Sequence, residues 1–414
     1  MEDKIKTRKK LLIIGGGAAG FFCAINAARL NPQLDVLIVE KTNKLLSKVK
    51  VSGGGRCNVT HACFEMEEMI RRYPRGTQFL KKAFHQFFTT DTLRWFSERG
   101  VELKTEPDGR MFPVSNSSQT IIDCLLREVS KYRIEIVLNR DVRKLTVENS
   151  LFHVSFSNGE IVNADFVCIA CGGYPKSTQF EWITELGHTI EEPVPSLFTF
   201  NMPGNPITEL MGVVAENVNV KIIGTKLQEQ GPLLITHWGM SGPVILRLSA
   251  WGARELASRQ WKFSILVNWV AEFNEQSLRE KFQELRFEIA SQKINSKNNF
   301  GLPARLWEFL LVQSGIKPET RWADLPIKDQ NKLIRNLCQY ECGIAGKTTF
   351  KEEFVTAGGI KLSEVSADTM MSKKIPNLFF AGEIIDVDGI TGGFNFQHAW
   401  TSGFIAAKTI AERE

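Results

Sequence analysis

Cysteine is scarce in this chain, with 8 among 414 residues. That excludes a small disulfide-stapled scaffold and fits a reducing compartment. Net charge is also small, at +5 at pH 7 from 51 Lys plus Arg against 46 Asp plus Glu. A value so low does not call for nucleic acid or an anionic membrane as partner. Long apolar runs are missing too. The one candidate, residues 11–30 (LLIIGGGAAGFFCAINAARL), is broken by three adjacent glycines and carries Asn26 and Arg29. It is too interrupted for a membrane helix and has no signal-peptide cleavage region. A soluble, cytoplasmic protein is expected. No repeat or low-complexity tract stands out. The spacing of Cys338 and Cys342, with no matching Cys/His set, makes no zinc site.

What is present is ordinary globular composition, 43% hydrophobic and 23% charged. The length predicts two or three domains. Residues 11–14 (LLII) read as a buried strand, 18–30 as a helix, and 35–39 (DVLIV) as a second strand. This is a βαβ unit with parallel strands. A basic, glycine-rich loop follows over 41–60. Helices are expected over 64–99 and 117–132, and a strand, turn and return over 100–113. Short antiparallel strands are expected at 134–138, 143–148, 151–156 and 160–163, and a buried strand at 165–170. Beyond Pro193 and Pro195 the pattern turns strand-rich at 213–223, 226–230 and 261–270. Helices return at 275–291, 303–314 and 328–337. Strand character resumes over 350–355 and at 378–381, and the chain closes with a glycine-rich loop and a helix.

Gly15-x-Gly17-x-x-Gly20, between a strand and a helix, fits a dinucleotide site. The first glycine allows the turn, the second lets backbone approach a pyrophosphate, and the third lets helix pack on strand. The helix N-terminus, beginning at Ala18 and Ala19, offers free N–H groups to phosphate. Glu40 closes the next strand, where a carboxylate can hold an adenosine ribose and would repel a 2′-phosphate. Near the C-terminus, Gly382-Glu383 follows a strand. Gly392, Gly393, Phe394 and Asn395 open the last helix. A carboxylate there can hold ribityl hydroxyls, and a helix N-terminus can favour negative charge on a reduced flavin edge. That reading needs the two chain ends to meet.

SGGGRCNVTH at 52–61 is a second constellation. Its N–H groups can form an anion nest, and Arg56 adds a charged fork. Lys44, Lys48 and Lys50 precede it. Cys57 is a weak candidate nucleophile. Cys168 and Cys171 sit at a predicted buried strand and point to opposite faces, which favours core packing over a redox pair. His237 (in THWGMSGP) and His398 are each either a structural histidine or a catalytic, proton-donating one. Arg110 is a turn arginine.

The ordered motifs KLLSKVKVSGGGRCNVT, DGRMFP at 108–113, GGYPKST at 172–178, LLITHWGMSGP at 233–243 and TMMSKKIPNLFFAGEIIDVDGITGGFNFQHAWTSG at 369–403 carry a resemblance over nearly the whole chain. The sequence resembles the HI0933-like (YhiN/BaiN-type) family of FAD-dependent flavoproteins. The resemblance implies an α/β fold of glutathione-reductase type. Its Rossmann-like FAD-binding domain is discontinuous, 1–195 plus 355–414. It carries an inserted β-rich domain, 196–270 plus 338–354, and a small helical insertion, 271–337.

The implied cofactor residues are Gly15, Gly17, Ala18, Ala19, Gly20, Glu40 and Lys41 on the ADP side. The flavin side has Lys48, Gly54, Gly55, Arg56, Cys57, Asn58, Gly172, Gly173, Gly382, Glu383, Gly392, Gly393, Phe394 and Asn395. Val142 completes the set. Departures from the family pattern are Cys171 in place of threonine, Lys176-Ser177 in place of glycine-serine, and His61 in place of asparagine. The implied activity is an FAD-dependent oxidoreductase, passing hydride through flavin N5 from NADH or NADPH to an unsaturated small molecule. No second Gly-x-Gly-x-x-Gly is found, so the nicotinamide would bind transiently. The alternatives are a nucleic-acid-linked flavoprotein of tRNA-modifying type, or a flavin-binding protein without turnover. Small-molecule partners are expected, with neither nucleic acid nor membrane. The oligomeric state is left open.

Overall fold

A computed structural model describes residues 8–348 and 355–413. The chain divides into two compact units, Met1–Ser196 with Phe350–Glu414, and Leu197–Thr349.

The first unit is built on a five-stranded parallel sheet. Its parts are β1 (Lys10–Ile14), α1 (Ala18–Leu30), β2 (Asp35–Glu40), α2 (Ser47–Gly55), β3 (Glu135–Leu138), β4 (Phe166–Ile169), β5 (Leu378–Phe380) and α3 (Phe394–Ala411). The strand order is β5-β4-β1-β2-β3, with every neighbouring pair parallel. Leu11, Leu12 and Ile13 are fully buried, as a continuous apolar run in a covered sheet requires. α1 is buried along most of its length, from Ala19 to Ala28, because it is apolar all round. It packs on α3 through small residues. A Cβ on Gly403 would meet the Ala19 carbonyl oxygen at 2.7 Å.

Two expectations are corrected here. Residues 134–138 were grouped with the antiparallel strands, but β3 is the parallel edge strand of the main sheet. An edge strand is half solvated, with Glu135 exposed, so its pattern imitates an antiparallel strand. The antiparallel sheet holds Val142–Glu148, Leu151–Phe156 and Ile161–Ala164. The basic segment 41–60 is not simply a loop either. α2 begins at Ser47 and is kinked where Ser52 is extended (φ −59°, ψ 147°) and Gly53 and Gly54 turn left-handed. Of the strand expected over 350–355, residues 350–354 lie outside the described residues. Val355–Ile360 is a strand, paired antiparallel with Ile190–Ser196.

The second unit holds a seven-stranded antiparallel sheet. Its order is Tyr340–Ala345, Lys262–Asn268, Val214–Ile222, Gln228–Thr236, Gly239–Ser241, Thr199–Asn201, Lys347–Thr348. Helices Glu275–Glu288, Ala304–Gln313 and Ile327–Cys338 share one apolar core with this sheet, centred on Trp269, Phe282, Trp307 and Trp322. Asn274 caps the first of them. Its Oδ1 accepts from Ser277 N–H (2.9 Å), and Ser277 Oγ accepts from Asn274 N–H (3.0 Å). Among the described residues no helix is long and apolar enough to cross a membrane. They also contain no cluster of His, Cys, Asp and Glu able to hold a metal.

Candidate dinucleotide site at the sheet edge

Because the five strands are parallel, the turns after β1, β2, β4 and β5 leave the same edge of the sheet. That edge is where ligands bind in open α/β sheets. It gathers Gly15–Gly17, Glu40, Cys171–Gly173 and Gly382–Glu383.

The glycine fingerprint divides its labour as its spacing implies. Gly15 has φ +118°, and a Cβ there would lie 2.5 Å from the Ala170 carbonyl oxygen. A Cβ on Gly20 would lie 2.1 Å from the Gly15 carbonyl oxygen. Gly17, at the N-cap of α1, faces open space with no atom within 4 Å. Of the three fingerprint glycines only Gly17 borders open space, and there the helix N-terminus also presents free N–H groups. Glu40 is fixed at its strand end. Its Oε2 accepts from Gly16 N–H, and its Oε1 accepts from the N–H and hydroxyl of Thr42, each at 2.9 Å. Arg140 N–H donates to the Glu40 carbonyl oxygen (2.9 Å), which brings the segment leading to Val142 beside this strand end. Lys41 lies over the Tyr174 ring, 5.3 Å from its centroid.

The SGGGRCN segment turns on consecutive positive φ angles at Gly53, Gly54 and Gly55, a path that side chains resist. A Cβ on Gly54 or Gly55 would meet nothing within 4 Å, so this backbone also borders open space. Arg56 stacks over Phe112 (4.0 Å to the ring centroid) and its Nη1 donates to Glu106 Oε1 at 3.1 Å. Cys57 is fully buried, and burial pushes its thiol up to about 12 despite the Ser52 hydroxyl. It is a thiol at neutral pH and no nucleophile.

The two chain ends meet. Asn58, with its amide oriented to satisfy both contacts, donates to the Thr60 carbonyl oxygen and accepts from Gly393 N–H at 2.9 Å. A Cβ on Gly393 would lie 2.5 Å from the Thr60 carbonyl oxygen. Phe394 stacks on His61 at 4.7 Å. Asn395 does something the sequence did not disclose. Its amide accepts from Gly389 N–H (2.8 Å) and donates to Gly389 O (2.9 Å), closing the loop ahead of α3. Ala19 is packed rather than open, with the position of a Gly382 Cβ 2.8 Å away.

Glu383 is half-buried, and its Oε2 pairs with Lys48. Its Oε1 accepts from Thr356 N–H (2.8 Å). Gly173 is wedged against this group, since a Cβ there would lie 2.7 Å from Thr356 Oγ1 and 3.0 Å from Glu383 Oε1. Gly172 (φ +76°) is looser, its Cβ position 3.9 Å from Glu383 Oε2. Thr356 was missed by sequence reasoning. Its only signal was the double glycine of TAGGI. Its Oγ1 is buried without a partner.

Of the two candidate catalytic histidines, His398 is buried in α3. Its Nε2–H donates to the Gly382 carbonyl oxygen (3.2 Å), and burial pulls its pKa down to about 4. It is neutral at physiological pH, and its one N–H is committed to the Gly382 carbonyl oxygen. His237 stands in the second unit, exposed and edge-on to Trp238 at 4.2 Å.

The arrangement fits an ADP-bearing cofactor. Gly17 borders open space at the α1 N-terminus, and Glu40 and Glu383 hold carboxylates at two strand ends of the same sheet edge. Gly54 and Gly55 border open space, whereas Gly392 and Gly393 are closed in by the Phe394 ring and the Thr60 carbonyl oxygen.

Comparison with known proteins agrees. The family model described as HI0933-like protein Rossmann domain matches residues 9–409. The 3-dehydro-bile acid delta(4,6)-reductase of Clostridium scindens is 27% identical over 409 residues, 97% of this chain and 98% of that protein. The ribosomal RNA dihydrouridine synthase of Escherichia coli is 29% identical over 409 residues, 96% of this chain and 97% of that protein. Among solved structures, a flavocytochrome c3 fumarate reductase superposes with a TM-score of 0.51 at 16% identity, over 98% of this chain and 78% of that one. The 3-ketosteroid-delta4-(5alpha)-dehydrogenase of Rhodococcus jostii does so with a TM-score of 0.51 at 12% identity, over 99% of both chains. These two likenesses show the fold. With the family model spanning nearly every residue of both chain ends and the insertion between them, the chain belongs to the HI0933-like family and is an FAD-dependent oxidoreductase.

Proposed function

We propose that the protein reduces a carbon–carbon double bond conjugated to a carbonyl in a small molecule, with NADH or NADPH as hydride source. The observation that supports this reading is the meeting of both chain ends, Asn58 bonding Gly393 while Glu40 and Glu383 stand at ends of one parallel sheet, an arrangement suited to a dinucleotide. With no second fingerprint in the sequence, the nicotinamide has no domain of its own and visits transiently. Bound FAD supplies hydride acceptance and donation at N5. The chain's own part is to hold and orient. The α1 N-terminus and Gly17 bind pyrophosphate, and Glu40 and Glu383 accept hydroxyl hydrogen bonds. The N-terminus of α3 favours negative charge beside it. Reduction of a conjugated double bond also needs a proton. Cys57 holds its proton too tightly, and the His398 Nε2–H is committed to the Gly382 carbonyl oxygen, so neither is the donor.

The names of the relatives support this chemistry. A 3-dehydro-bile acid delta(4,6)-reductase and a dihydrouridine synthase both add hydrogen across a double bond conjugated to a carbonyl. The second of them favours another substrate reading, the uracil ring of ribosomal RNA, a name shared by a Haemophilus influenzae relative at 26% identity. Anaerobic stopped-flow mixing with NADH and with NADPH is expected to bleach the flavin. A conjugated enone is then expected to restore its colour. Recolouring by RNA alone, with dihydrouridine found in the digested product, would move the substrate to RNA. No bleaching by either nucleotide would refute the donor.

A further inference from the structure

We propose that His398 is a positioning residue for the cofactor: with Ser402 it clamps the Gly382 peptide and so aims Glu383. The proposal rests on the FAD reading of Glu383.

Gly382 leaves β5 with φ +75°, a conformation that favours glycine. Its peptide is buried, so its N–H and C=O both need partners. One partner for each comes from the same face of α3, four residues apart, and the carbonyl also accepts from the Ile385 N–H of its own turn (3.2 Å). Ser402 Oγ accepts from Gly382 N–H at 2.8 Å, and the Gly382 carbonyl oxygen accepts from His398 Nε2–H at 3.2 Å. The Ser402 hydroxyl donates in turn to the His398 carbonyl oxygen at 2.6 Å, which locks the pair together. Ala19 of α1 closes the other side, its Cβ 2.8 Å from where a Gly382 Cβ would be. The peptide is therefore held at both polar ends and backed by a helix.

The next residue is Glu383. Its two carboxylate oxygens are held by Thr356 N–H and Lys48. The direction in which this side chain leaves the backbone is set by the Gly382 peptide. An apolar residue at 398 would leave the Gly382 carbonyl oxygen only the Ile385 N–H (3.2 Å), a bond within the same turn that does not tie it to α3. The turn from Gly382 to Ile385 is then free to pivot as a unit, which swings Glu383 away from Thr356 and from the site. A neutral imidazole suits the task, being a short, rigid donor that brings no charge into the core.

The test is a double-mutant cycle on FAD affinity, read by quenching of FAD fluorescence on the full chain. H398L is expected to weaken binding about tenfold, as loss of one buried hydrogen bond implies. H398Q, which keeps a donor, is expected to stay within about threefold of wild type. In an E383Q background, H398L is expected to cost nothing further, because its effect runs through that carboxylate. If H398L fails to fold, S402A replaces it, with the same coupling to Glu383 expected. Unchanged FAD affinity in the single variant, or an equal loss in both backgrounds, would overturn the proposal. Wild-type protein without FAD affinity would refute the cofactor reading, and this proposal with it.

Discussion

A methyl group on Gly20 would lie 2.1 Å from a backbone oxygen, whereas one on Gly17 would touch nothing. These two members of one fingerprint therefore answer to different experiments. Gly20→Ala is expected to cost about 2–4 kcal/mol of stability through overpacking against backbone. Gly17→Ala is expected to leave the melting temperature of the cofactor-free protein within about 2 °C, since its backbone (φ −95°, ψ −172°) suits alanine. The same substitution is expected to weaken FAD binding at least about tenfold by crowding the pyrophosphate. Thermal melts with and without FAD distinguish the two. Equal melting losses in both variants would contradict the assignment. The steric demands at Gly15 and Gly20 were legible in the sequence because each depends on backbone geometry at a fixed spacing. The roles of Asn395 and Thr356 were not. Asn395 serves Gly389, and Thr356 serves a glutamate 27 positions away, so neither is encoded by local pattern.

Elements read well where burial is complete and poorly where it is partial. The fully buried β1 showed itself as an apolar run, but the half-solvated β3 passed for an antiparallel strand. α2 was hidden because its helical turns merge into a glycine path that composition alone reads as loop. A further element had no sequence signal. The segment Leu362–Glu364 is tied to His188 and to Lys374 through Glu364. Burial pushes the Glu364 carboxyl upward, but hydrogen bonds from Lys374, Thr189 N–H and His188 outweigh it and hold the group at about 2. Burial lowers His188 below the usual histidine range. Both groups bind protons less readily folded than unfolded. Their stabilisation is present at neutral pH and is lost on acidification. The loss begins below about pH 6.5 for His188, and runs from about pH 4.5 down to about 2 for Glu364. Glu364→Gln is expected to cost about 1–3 kcal/mol at pH 7 in urea unfolding. The difference from wild type should shrink toward pH 3. A difference that does not change with pH would contradict this account.

At the scale of the whole molecule, the clustering of glycine has a physical reason. A dinucleotide needs bare backbone at several places, so glycine collects at 15–20, 53–55, 172–173 and 392–393, in stretches far apart in sequence. That 15–17 and 172–173 share one sheet edge follows from the parallel order of β4 and β1, which no local pattern states. The substrate was not legible, because it is set by side chains whose neighbours come from other segments. The most direct test of the central claim is the visible spectrum of the purified protein, followed by release and rebinding of its chromophore. The account predicts a yellow protein with the two absorption bands of oxidised flavin and one FAD per chain, lost or much weakened in Glu383→Ala. A colourless protein that neither retains nor rebinds FAD would contradict it.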